Sequence, residues 1–127
     1  MATDLENIQF IPYLMNRLTS SFNNAWLEQL RPHGLNIARW QALCVLSIQD
    51  GARVGEIAEL CGTEQPVTSR VIDQLQRAGL VERRPAEEDQ RVVRVWTTER
   101  GQALFEIIIP RAGDFVSWAL RNFDDED

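Results

Sequence analysis

Apolar side chains recur at Ile11, Leu14, Leu18, Phe22, Ala25 and Trp26, three or four positions apart, which predicts a long amphipathic helix over about residues 11–30. Arg31-Pro32-His33-Gly34 stops it, and Pro12 fits its first turn, where a backbone N–H would find no partner anyway. Asn36 is placed to cap a second helix in which Ile37, Trp40, Leu43, Cys44, Ser47 and Ile48 share a face, ending near Asp50-Gly51. Val54, Ile57, Ala58 and Leu60 belong to a short third helix that closes at Cys61-Gly62. Thr63 can then cap a fourth, with Pro66 in its first turn. In the fourth helix Val67, Val71 and Leu75 step by four towards a core, while Gln65, Ser69, Asp73 and Gln76 face outwards, flanked by Thr68, Arg70 and Arg77.

Beyond Gly79 the period changes. Leu80-Val81 begins an extended segment, residues 91–97 are β-branched and aromatic, and residues 85–90 between them are loop-like, which together predict a β-hairpin. Thr98 caps a last helix carrying Ala103, Leu104, Ile107, Ile108, Phe115, Trp118 and Ala119, bent or broken at Pro110. Two helices joined by a short glycine-containing turn form a helix-turn-helix, and a hairpin directly after its second helix is a wing. The fold class is therefore mainly α with a small β-hairpin wing. Residues 1–127 read as one domain, with a winged helix-turn-helix core over about 35–97 and N- and C-terminal dimerisation helices over about 4–31 and 98–123.

Charge complicates a nucleic-acid reading, because the net charge is −6 and DNA affinity leans on neutralised phosphates. Its distribution softens that objection. From Pro66 to Arg100 seven arginines face six acids, a balance of +1, while the remainder carries six arginines against thirteen acids, or −7. A weakly positive reading surface on an acidic body predicts poor binding to random DNA and dependence on a specific site. No apolar stretch is long enough to cross a bilayer and residues 1–10 lack a signal-peptide order, which points to a cytoplasmic protein without a membrane partner. Cys44, Cys61 and the single His33 lack metal-ligand spacing, so no cofactor is expected and both cysteines read as packing residues. One histidine, no lysine and no clustered acids beyond solvated runs leave little for catalysis, and the chain reads as a non-enzyme.

Several segments in order resemble the DNA-binding region of the MarR family, in particular its SlyA-like branch. They are Ile57-Ala58-Glu59-Leu60, Glu64-Gln65-Pro66, Ser69-Arg70-Val71-Ile72-Asp73-Gln74-Leu75, Gly79-Leu80-Val81-Glu82-Arg83, Asp89-Gln90-Arg91 and Thr98-Glu99-Arg100-Gly101. The resemblance implies a bacterial transcription regulator in which Arg70 enters the major groove and Arg91, held by Asp89, enters the minor groove. The chemistry agrees: an arginine fork matches the O6 and N7 of guanine, and a guanidinium at a wing tip is drawn into a narrow A·T-rich minor groove. Gln65, Pro66, Thr68 and Ser69 at the start of the fourth helix are assigned to the DNA, partly through phosphates, with Arg84 and Arg94 as further phosphate candidates on the wing strands.

The resemblance also implies a ligand-responsive repressor that binds a pseudo-palindromic duplex site as a homodimer. Two recognition helices would then lie about 34–36 Å apart. Family members often take small aromatic acids between the outer helices and the winged core, which would put Tyr13, Arg17, His33, Arg39 and Trp40 near an effector. Gln90 stands where the family often has a second wing arginine, Thr97 where it usually has leucine, and Glu87-Glu88 add acids beside the wing. The family's usual further C-terminal helix would begin about where this chain ends. These departures keep one alternative open, a winged-helix protein-interaction module that has lost DNA binding.

Overall fold

The computed structural model describes residues 2–124, and side chains over residues 10–122. The acidic end from Asp125 to Asp127 lies outside the described residues. In chain order the elements are α1 (Ala2–Leu30), a 3-10 turn (Arg31–His33), α2 (Ile37–Ile48), α3 (Val54–Cys61), α4 (Gln65–Arg77), β1 (Val81–Pro85), β2 (Val93–Thr97) and α5 (Glu99–Asp124).

The helix ends follow their capping chemistry. Asn36 Oδ1 accepts the Arg39 N–H at 2.8 Å, and Thr98 Oγ1 accepts the Gly101 N–H at 3.1 Å, so both expected caps form. The helix-turn-helix bend needs Gly62, whose φ of +69° is left-handed; the N–H groups of Gly62 and Thr63 turn back to the carbonyls of Glu59 and Ala58. Thr63 does not cap α4. Glu64 is the N-cap residue, without a side-chain bond, and Gln65 and Pro66 are the first two helical positions. The Thr63 hydroxyl instead shares a 2.7 Å hydrogen bond with that of Thr68, filling the inside of the turn.

One proline departs from its expected place, and at another the expected bend or break is not a break. α1 begins well before Ile11, so Pro12 lies within the helix rather than in its first turn. α5 runs without a break through Pro110. In a long helix the flanking turns hold the backbone in register around one lost hydrogen bond.

β1 and β2 pair antiparallel, with Arg83 opposite Val95 and Arg84 opposite Arg94. A lone bridge from Ala52 to Val95 ties the α2–α3 connection to the hairpin, a contact no local pattern announces. Leu30, Leu43, Leu46, Ile57, Ile72, Leu75, Val81, Val95 and Ile108 are fully buried, so α2, α3, α4, the hairpin and one side of α5 share a core with the C-terminal end of α1. The expected faces needed adjustment at two places. Ile48 is 89% exposed at the end of α2, with Leu46 taking the inward position. On α4 it is Thr68, Ile72 and Leu75 that are buried, whereas Val67 is exposed. The inward stripe thus steps by four and then three, as a 3.6-residue period requires over two turns.

Candidate nucleic-acid interface

The outward side of α4 carries Gln65, Pro66, Arg70 and Gln76, all exposed, with Ser69 and Asp73 half-buried beside the wing. Pro66 at the second helical position removes one donor that the helix could not have used. Thr68 belongs elsewhere: at 4% exposure with its hydroxyl on Thr63, it supports the turn and presents nothing to a phosphate.

A guanidinium that the spacing argument left without a role organises this surface. Arg83, on β1, donates Nη1 to Asp73 and Nη2 to both the carbonyl and the hydroxyl of Ser69, while its backbone N–H reaches Gln76 Oε1 at 3.1 Å. It clamps the wing to α4 and fixes three outward polar groups. Asp73 is thereby neutralised rather than turned towards a phosphate. Arg83 closes the Gly79-Leu80-Val81-Glu82-Arg83 segment that resembles the family, but an arginine on a strand has no pattern that names its partner.

At the wing tip, Asp89 accepts the Arg91 backbone N–H at 3.0 Å, Arg91 Nε at 3.1 Å and Arg91 Nη2 at 3.3 Å. The Arg91 side chain is nonetheless 91% exposed. The fork is oriented by its neighbour yet its far edge stays open. The Arg91 side-chain hydrogen bonds, and then its backbone N–H, hold the Asp89 carboxyl below the usual carboxylate range. The strand arginines differ from each other. Arg94 donates to Glu88, whose carboxyl it lowers, and to the Gly51 carbonyl at 3.1 Å, so its donors brace the base of the wing. Arg84 is exposed, lies 5.4 Å over the Trp96 ring and pairs with Glu82 at 3.5 Å. Glu88 is therefore a brace partner and not simply a repulsive charge.

The five residues suggested for an effector do not converge. Trp40 is buried, stacked on Phe105 at 5.2 Å and edge-on to Trp26. Arg39 bridges α2 to α4 through Gln74 Oε1 and returns to the Gly34 carbonyl. Tyr13 and Arg17 stand exposed on α1, and His33 faces Arg111 at 3.5 Å. A groove of about 550 Å³ does open between α1 and α5, but its lining includes Glu28, Arg111, Asp114, Phe115 and Trp118 and none of those five.

Burial pushes the Cys44 thiol up to about 11, with Cys61 adding to the shift, and burial raises Cys61 as well. Neither is a ready thiolate at neutral pH. Among the described residues no group of three or more His, Cys, Asp or Glu is arranged to hold a metal ion, and no helix is long and apolar enough to cross a membrane.

Four similarities to known proteins bear on this surface. Residues 33–92 match the family model described as MarR family. The transcriptional repressor MprA of Escherichia coli strain K12 is 25% identical over 111 residues, 83% of this chain; the chain spans only 63% of that relative's length. A crystal structure of a MarR-family transcriptional regulator from Silicibacter pomeroyi is 34% identical, covers 84% of this chain and 71% of its own, and superposes with a TM-score of 0.71. The fold also matches that of a mutant MarR from E. coli complexed with operator DNA, at a TM-score of 0.83 and 24% identity over 92% of this chain and 84% of that one.

Proposed function

Because the chain belongs to the MarR family of transcription regulators, with the winged fold of that family, we propose that it is a sequence-specific DNA-binding repressor acting as a homodimer on a pseudo-palindromic site. The observation that carries this reading is the pairing of an exposed Arg70 on α4 with an exposed Arg91 that Asp89 already orients. Arg70 reads a guanine edge in the major groove and Arg91 enters the adjacent minor groove, the two contacts that give a winged domain both register and base preference. Gln65 and Ser69 lie beside Arg70 and complete the reading face. The fold shared with the operator-bound E. coli protein supports DNA as the partner of that face.

Dimerisation rests on an unpaired apolar surface. Phe10, Ile11, Tyr13, Leu14, Met15 and Leu18 on α1 and Ile107, Ile109, Val116, Trp118 and Leu120 on α5 are each between 44% and 61% exposed in the single chain. That concentration on the two outer helices is what a self-complementary interface uses. Response to a small aromatic acid is assigned to the α1–α5 groove, where the Arg111 guanidinium stands beside Phe115 and Trp118. The protein-interaction alternative draws support from the acidic balance and the departures beside the wing, such as Glu87 and Gln90.

Selection of binding sites from random duplex DNA at two salt concentrations tests the whole reading. The expected result is a two-fold symmetric half-site pair; Arg70→Ala should relax one base position per half-site, by about 1–3 kcal/mol of discrimination. Lack of any enriched sequence would sink the regulator reading.

A further inference from the structure

We infer that Arg53 is a DNA-backbone contact: it lines a cleft between the reading helix and the wing tip that seats the phosphate strand separating the two grooves. This rests on the regulator reading above and adds a site to it. Arg53 is the N-cap residue of α3, a side chain 56% exposed that belongs to neither the α4 face nor the hairpin. It lines a cleft of about 500 Å³ with Gln65 at the start of α4 and Arg91 and Val93 of the wing.

The geometry of a duplex supplies the argument. If α4 occupies the major groove and Arg91 the adjacent minor groove, the sugar-phosphate strand dividing those grooves has to cross between them. The cleft between Gln65 and Arg91 is that crossing. A cation there contributes position and affinity without reading bases.

Four carboxylates lie close enough to cancel it, and three are already committed. Glu56 accepts the Arg53 backbone N–H at 3.1 Å and Gln49 Nε2 at 2.9 Å, while its contact with Arg53 Nε is a long 3.8 Å pair at an exposed site, which holds the guanidinium weakly. Asp89 is taken by Arg91 and Glu88 by Arg94. The positive charge of Arg53 adds a last, small share to the lowering of both of the latter carboxyls, behind their own arginine partners. Glu59 alone remains, exposed, in the lining of the cleft. The local helix-turn-helix pattern does not reveal Arg53, because its value comes from the wing folding back beside it.

Arg53→Gln and Arg53→Lys provide the test, since either keeps the backbone N–H that Glu56 accepts. Affinity for a selected duplex and for an unrelated duplex is measured by fluorescence anisotropy across a salt series. One lost phosphate contact per protomer makes the slope of log affinity against log salt shallower by about 0.9, or about 1.8 for the dimer, which at about 0.1 M salt is a loss of roughly eightfold per protomer and roughly sixtyfold for the dimer. Arg53→Gln should show that loss equally on both duplexes, and Arg53→Lys should restore slope and affinity. Unchanged slope and affinity in Arg53→Gln, with wild-type protein binding normally, overturns this site and leaves the regulator reading standing. A loss confined to one base position overturns it too, because that is base reading. Wild-type protein that binds no duplex overturns both.

Discussion

At the wing tip one carboxylate accepts three N–H groups of a residue two positions away, so the Arg91 fork has little rotational freedom left to lose on binding. Asp89→Asn keeps the side chain's size but weakens the acceptor and removes the charge. Affinity for sites with A·T-rich flanks should fall about fivefold, with the melting temperature nearly unchanged; anisotropy and circular dichroism measure the two. Arg91→Ala should lose more on the same sites. The pH dependence follows from the lowered Asp89 carboxyl. A group depressed on folding contributes above its unfolded value and loses that contribution only as pH falls through the lower folded one. Binding between about pH 6 and 8 should therefore owe no change to Asp89.

Two contacts between elements decide whether the reading surface holds its shape. Thr98 closes the first, donating its hydroxyl to the Gly79 carbonyl while capping α5, and Gly101 completes it. A Cβ built on Gly101 would stand 2.0 Å from the Leu80 carbonyl oxygen, backbone against backbone, with no flexible side chain to yield. Gly101→Ala should cost about 3 kcal/mol in denaturant unfolding, because α5 must move off the start of the wing. The second contact is the Arg83 clamp. Its loss in Arg83→Ala leaves the Ser69 hydroxyl and Asp73 unheld, so base preference should broaden even though Arg83 need not touch DNA.

For the whole molecule, the packing of aromatic rings shows where one chain is sufficient. Phe22, Trp26, Trp40, Phe105 and Phe115 interlock at centroid distances of 4.9 to 5.9 Å, joining the outer helices to the winged core. Towards the other end of α1 that packing stops, and Leu14 and Leu18 remain 44% and 50% exposed on the same helical stripe that buries Trp26 and Leu30. An apolar stripe that continues past its partners is the support for the proposed second copy. Sedimentation at micromolar concentration should show a dimer, and Leu14→Glu with Leu18→Glu should give a monomer that keeps its helical spectrum but binds a palindromic duplex far more weakly. A wild-type monomer under those conditions would remove the dimer from the proposal.

Local physics made much of this protein legible from its sequence. Helical periodicity, the Asn36 and Thr98 caps, the glycine at the helix-turn-helix bend and the β-branched run of the wing each act over a few residues, and the elements formed where those signals stand. The Asp89–Arg91 pair was implied by the family resemblance, and its two-position spacing let the structure form it locally. Other assignments depended on partners brought together by the fold. Thr68 and Arg94 looked available for DNA until Thr63, Glu88 and Gly51 were seen to take their hydrogen bonds, and Trp40 looked like an effector wall until it was found between two rings. Arg83 gained a role, and Arg53 a proposed one, only because the hairpin folds back against α3 and α4. A side chain's chemistry is written in the chain, but whether its donors are spent or open is decided by neighbours tens of residues away.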